Sequence, residues 1–167
     1  MDLKIKTNRL VIKAITTEYK SSLLKEIGNW EVAKWLSRVN YPYSEKDFND
    51  WLIIASQGDL NLNIFKNNLL VGGIGLSPCE NNFYELGYWI AEKYWGKGFA
   101  TESVYEFLKF ARNEHGYKNF KATVKYNNTA SLVILKKIGF KIFGDAQIYS
   151  LSNKKYIDSK ILLLEYE

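Results

Sequence analysis

Between Tyr94 and Ser103 the sequence reads YWGKGFATES, with Gly96 and Gly98 on either side of Lys97 where an aromatic run meets the start of a helix. Residues of these types at this spacing can hold an anion. Glycines let the backbone approach a ligand closely, and Lys97 adds a mobile charge. The helix that follows offers unpaired N–H groups and about half a positive charge at its first turn. A tight turn whose glycines serve only backbone geometry is the other reading of the same residues. Two nucleotide loops are excluded. A P-loop needs G-x-x-x-x-G-K-[ST], but Ala91 stands where its first glycine belongs and Gly98 follows Lys97. The dinucleotide fingerprint G-x-G-x-x-G breaks at Thr101.

Among 167 residues there is one cysteine, Cys79, and one histidine, His115, which excludes an internal disulfide and a Cys/His metal cluster. A reducing cytoplasm is the expected location. Cys79, in a turn after Pro78, reads as an incidental thiol, and His115 as a solvated partner of a helix C-terminus. No apolar run approaches the roughly 18 residues of a membrane span, so no membrane partner is expected. The net charge of +5 suits an anionic partner, yet a lysine-rich composition gives the same number.

The elements that must position the loop follow from periodicity. Leu3, Ile5, Leu10, Ile12 and Ala14 alternate with polar residues and predict one long first strand, irregular near Asn8. TTEYKSSLLKEIG predicts a helix with a Thr cap signal, ending at Gly28, followed by a short Trp-rich helical piece over 30–36. Ser44 precedes a helix with Phe48, Trp51, Leu52 and Ala55 on one face, stopped by Gly58. LNLNIF, LLVGGIGL and FYELGYWIA predict a meander with turns at Asn67-Asn68 and in CENN. Gly87, inside the third of these strands, marks a bulge, a close ligand approach or a packing contact. A helix from Ala100 to about Glu114, a strand FKATVKY, a helix from Asn128 to Ile138 stopped by Gly139, and two closing strands complete the chain. The order predicts one α/β (α+β) domain over 1–167, in which the crossover from YELGYWIA to FKATVKY makes that pair parallel.

The stretches Glu85–Glu102 and Asn127–Phe140, NNTASLVILKKIGF, resemble the GCN5-related N-acetyltransferase (GNAT) family, and within it the ribosomal-protein N-terminal acetyltransferase-like branch named for RimJ and RimL. The family's loop runs (Arg or Gln)-x-x-Gly-x-(Gly or Ala). Trp95, Gly96, Lys97, Gly98, Phe99 and Ala100 match it except at the first position, where Trp is similar to this branch. The resemblance covers the whole chain. It implies a mixed, mostly antiparallel seven-stranded sheet with a central parallel pair, flanked by about four helices.

It also implies acetyl-CoA as co-substrate, its pyrophosphate on the N–H groups of Gly96, Lys97, Gly98, Phe99 and Ala100. Its pantetheine arm would bond the backbone of Trp89, Ile90 and Ala91 in a gap between the parallel strands, where an N–H near Trp89 or Ile90 would stabilise the oxyanion. Asn128 is both a helix cap and a pantetheine contact in this branch. Glu85 is the candidate base, directly or through water, against the reading of a solvated edge carboxylate. Ser131, near the thiol in the branch, would assist the departing sulfur, against the reading of an ordinary first-turn residue. Many relatives place a general-acid Tyr four residues before Gly-Phe, where this chain has Leu135; that task then falls to Ser131, Tyr126 or water, or goes unassisted.

Trp30, Trp35, Tyr41, Tyr43 and Trp51 belong either to the acceptor mouth or to the core. The expected activity is N-acetyl transfer to a primary amine, with a protein N-terminus, a polyamine, an amino sugar or an antibiotic as acceptor. At pH 7 an α-amine is about 14% neutral and a lysine only about 0.04%, so the base matters more for the lysine. The alternatives are a non-catalytic acyl-CoA-binding or regulatory protein of the same fold and, without a supporting motif, a nucleic-acid module. Both a monomer and a homodimer fit the sequence.

Overall fold

A computed structural model describes residues 3–57 and 60–167. Among them the sheet has eight strands in the order β1-β2-β3-β4-β5-β6-β8-β7. Every neighbouring pair is antiparallel except β5 with β6, which is parallel. The strands are β1 (Lys4–Lys6), β2 (Val11–Lys13), β3 (Leu60–Lys66), β4 (Leu69–Pro78), β5 (Phe83–Ile90), β6 (Asn119–Lys125), β7 (Lys141–Ser150) and β8 (Lys155–Glu165). The helices are α1 (Lys20–Ile27), α2 (Trp30–Ala33), α3 (Glu45–Ala55), α4 (Phe99–His115) and α5 (Thr129–Ile138). No helix among the described residues is long and apolar enough to cross a membrane.

The first predicted strand is in fact a hairpin. Lys4 pairs with Lys13 and Lys6 with Val11, because the chain reverses through Thr7, whose N–H donates to Leu10 O at 3.0 Å. The fold class stands with one more strand than expected. Asn67 and Asn68, both at positive φ (49° and 61°), make the tight β3–β4 turn, as their residue type predicts. Ser44 and Asp47 form a reciprocal capping box at α3. The Thr cap signal before α1 is not used: Thr16 donates to Glu18, and the chain enters α1 through a 3-10 turn over Thr17–Tyr19. The expected stop at Gly58 lies outside the described residues; α3 ends at Ala55 with Ser56 as its cap.

Alternation along the strands divides the core into two layers. Val104, Phe107, Leu108 and Ala111 of α4 and Leu135 of α5 pack on one face with Ile64, Leu76, Leu86 and Ile90. Leu23 and Ile27 of α1 and Phe48 of α3 pack on the other with Phe65 and Leu70. Phe107 is fully buried, and truncating such a ring to alanine costs about 3–5 kcal/mol. The helix that opens at the glycine loop is therefore held firmly against the sheet.

The feature that matters for function is a break in pairing. Strand β5 pairs with β4 along its length, and β6 with β8 along its length. β5 and β6 pair with each other only at Phe83, Tyr84 and Glu85. Beyond Glu85 they part, leaving a gap whose walls are the C-terminal halves of both strands.

Candidate active site

The glycine loop sits at the open end of this gap. After β5 the chain makes a 3-10 turn over Glu92–Tyr94, and α4 begins at Phe99. Gly96 and Gly98 adopt φ of 71° and 76°, a region that L side chains rarely occupy, so the turn requires glycine at both positions. None of the N–H groups of Gly96, Lys97, Gly98, Phe99 and Ala100 donates to any described residue. They form a concave row of donors at a helix N-terminus, with Lys97 beside them.

Two contacts outside the glycines hold that row. Trp95, which replaces the family's usual Arg or Gln, donates its indole N–H to Ile90 O at 2.7 Å and pins the loop to the end of β5. Arg9, from the β1–β2 hairpin, donates through Nη1 to Lys97 O at 2.9 Å and through Nε to Glu102 at 2.6 Å, with its guanidinium 4.7 Å from the Phe99 ring centroid. Glu102 also accepts from Thr7 Oγ1 and Arg9 N–H. Burial alone would raise the Glu102 carboxyl, but the bonds from Thr7 and Arg9 outweigh it and hold it below the usual carboxylate value. Nothing in the local sequence singles out Arg9 or this role of Glu102. Their partnership spans 93 residues, and no local pattern announces it.

Hydrogen bonding alternates along an antiparallel pair, which decides which β5 groups face the gap. Ala91 N–H donates to Val71 O at 2.8 Å and Cys79 N–H to Phe83 O at 2.8 Å, so odd-numbered residues of this stretch pair with β4. Tyr88 and Ile90 therefore turn their backbone groups toward the gap. The backbones of Trp89 and Ala91 face β4, which corrects their expected role as pantetheine contacts. The Ile90 N–H faces the gap, and its C=O accepts from Trp95.

Side chains alternate too. On the face of α1–α3, Glu85, Gly87 and Trp89 follow one another. Trp89 packs with the α1–α3 core, and a Cβ on Gly72 or Gly73 would collide with it, which explains glycines at both positions. A Cβ on Gly87 would meet nothing within 4 Å, and the β4–β5 register shows no shift there. Neither the bulge nor the packing contact is therefore found at Gly87.

Glu85 lies where the strands part. One carboxylate oxygen accepts from Thr123 of β6 at 2.8 Å, the other from Arg38 at 2.7 Å. Its side chain is 20% exposed, so it is an anchored carboxylate facing the gap and no free edge residue. Each oxygen retains a second lone pair for an amine or water. The rings of Trp30 and Tyr41 meet at a tilt of 56° with centroids 4.8 Å apart, whereas Tyr43 and Trp51 pack against the core. Burial first, then Asp47 and Asp50, pushes the Tyr43 phenol up to about 12. Trp35 lies 5.5 Å from the Lys34 ammonium.

On the opposite face stands Ser131 in the first turn of α5. Asn128 caps that turn, its Oδ1 accepting from Ser131 N–H at 3.2 Å, as expected. Ser131 Oγ lies 2.7 Å from the Tyr88 hydroxyl, a partner the sequence did not suggest. Leu135 is fully buried in the core, and Tyr126 donates to Asp145 at 3.1 Å, away from the gap. Cys79 bonds Phe83 O through its thiol, and His115 sits among the rings of Phe110 and Tyr117.

A row of free donors, an open gap in a parallel strand pair, a carboxylate on one face and a hydroxyl on the other thus lie together around the C-terminal half of β5. The family model for the acetyltransferase (GNAT) domain matches residues 9–141, and the chain belongs to that family. It is an acetyltransferase. An uncharacterized N-acetyltransferase, p20, from Bacillus licheniformis is 23% identical over 162 residues, covering 91% of this chain and 90% of its own. An acetyltransferase of the GNAT family from Bacillus anthracis superposes with a TM-score of 0.84 at 23% identity, over 98% of both chains. RimL, a ribosomal-protein alpha-N acetyltransferase solved in complex with coenzyme A, superposes at 0.82 and 18% identity, also over 98% of both.

Proposed function

We propose that the protein transfers the acetyl group of acetyl-CoA to a primary amine by direct attack on the thioester. The observation that carries this reading is the convergence of the free amide row at Gly96–Ala100 with the gap beyond Glu85. The pyrophosphate of acetyl-CoA lies on that row, and the pantetheine arm extends into the gap along the free backbone groups of Tyr88 and Ile90. There it adds to β5 as a further strand would. Ile90 N–H supports the carbonyl oxygen as it becomes an oxyanion. Glu85 receives the amine proton directly or through water, and the open space over Gly87 gives the amine its approach.

The acceptor class is a protein N-terminal α-amine or a small-molecule amine. A fold of this kind without turnover, an acyl-CoA sensor, is separated from the enzyme by one experiment. Acetyl-CoA and free CoA are titrated calorimetrically into the protein, and thiol release is followed over peptide N-termini, polyamines, amino sugars and aminoglycosides. Saturable binding with amine-dependent thiol release is expected. Binding without release on any acceptor would favour the sensor, and no binding would overturn the loop assignment.

A further inference from the structure

We infer that Tyr88 is a positioning residue for departure of the CoA thiol: it donates its hydroxyl proton to Ser131 Oγ and thereby turns the Ser131 proton toward the sulfur. This inference rests on the acetyl-transfer reading above. Tyr88 lies beyond the last residue of β5 that pairs with β6, and its side chain crosses to the first turn of α5. The two hydroxyl oxygens are 2.7 Å apart, and either could be the donor from geometry alone.

Chemistry decides the direction. A phenol is far more acidic than an aliphatic alcohol, so it is the better donor and the serine oxygen the better acceptor. Burial raises the Tyr88 phenol to about 12, against a smaller lowering by Ser131, so it keeps its proton at every working pH. A serine oxygen that accepts from Tyr88 still has one O–H to give. Among the described residues no other group hydrogen-bonds Ser131 Oγ, so that proton is free for a ligand in the gap.

The reaction has a place for it. The amine nitrogen attacks the thioester carbonyl carbon, a C–N bond forms, and the tetrahedral adduct collapses. The C–S bond breaks with its electron pair on sulfur, while the amine proton passes to Glu85 or water. A hydrogen bond from Ser131 to sulfur strengthens as that charge builds, which is the condition for lowering a barrier. Leu135, in the same helix, is fully buried and carries no hydroxyl that could share this task.

The test compares Tyr88→Phe, Ser131→Ala and the double variant, with two readouts. In steady state, Tyr88→Phe should lower kcat about tenfold with little change in the KM for acetyl-CoA. The double variant should be no worse than Ser131→Ala, since Tyr88 acts through that serine. Independently of turnover, the thiolate absorbance of bound CoA is followed against pH. The bound thiol should ionise about tenfold less readily in Tyr88→Phe and in Ser131→Ala than in the parent protein. Losses that add in the double variant, or a thiol titration unmoved by Tyr88→Phe, would overturn the inference. If the parent binds CoA but turns over no amine, the transferase reading fails, and the thiol titration still decides the role of Tyr88.

Discussion

Gly98 carries the sharpest prediction at the scale of single residues. Its φ of 76° disfavours any Cβ, and that Cβ would also press on Arg9 at 3.3 Å. Gly98→Val is therefore expected to raise the KM for acetyl-CoA by about an order of magnitude or more while the circular dichroism spectrum is kept. Normal CoA affinity in that variant would show that the loop does not hold the donor. Glu85→Gln retains the size of the side chain and loses the base. It should lower kcat about 10- to 100-fold for an α-amine and more for a lysine ε-amine, measured at pH 7 on matched peptides, because the lysine begins with far less neutral amine. Equal losses on both would remove Glu85 from proton transfer. The residues with local signatures were legible in the sequence: the glycine turn, Asn128 as cap, Glu85 at the head of its strand. Tyr88 and Arg9 were not, because what gives each its role is a partner 43 or 93 residues away. The pantetheine contacts were misread for another reason. A strand's backbone faces are set by register with its neighbour, which composition does not encode.

At the scale of elements, the β1–β2 hairpin is a clamp on the donor loop. The single long strand expected from alternation of Leu3 to Ala14 is two strands around a turn at Thr7, and both Thr7 and Arg9 reach Glu102. Periodicity alone continues across a reversal whenever the apolar residues stay in phase. Glu102 has a carboxyl held below its usual value, so the stability its contacts contribute is complete above the ordinary carboxylate range. That stability is lost as pH falls through the lower folded value. Urea unfolding followed by tryptophan fluorescence should therefore show the parent losing stability as pH falls across that range. Glu102→Gln should flatten that part of the curve and weaken acetyl-CoA binding. A binding constant unchanged by Glu102→Gln would mean that the loop holds its shape without the clamp.

At the scale of the molecule, the segment after α2 is tied to the β7–β8 hairpin around Lys125. Its ammonium donates to Lys34 O at 2.7 Å and to Ser150 Oγ at 2.8 Å, joining the chain after α2 to the tip of the β7–β8 hairpin. Ser152 and Asn153 bond Leu36 O and Lys34 O at the same junction. Burial lowers the Lys125 pKa to about 8 from its usual 10.5. Between those values the unfolded chain holds a proton that the folded chain has released, so the contribution of Lys125 to stability rises with pH across that window and is flat below it. Urea unfolding at pH 7.5, 9 and 10 should show this rise in the parent and not in Lys125→Met. A parallel pH dependence in the two proteins would place the titration elsewhere. The order of elements and the fold class were legible because each strand and helix carries its own period; this junction was not, since it is made by loop carbonyls.

The clamp between Arg9 and Glu102 also sets an order of events during synthesis. Arg9 leaves the ribosome 93 residues ahead of its partner, an interval of roughly 5–20 s at ordinary elongation rates. For that time the hairpin turn has no α4 to close on. The loop thus cannot be clamped until the start of α4 has emerged, and a nascent chain halted before α4 carries the first strands of the sheet and no place for a cofactor.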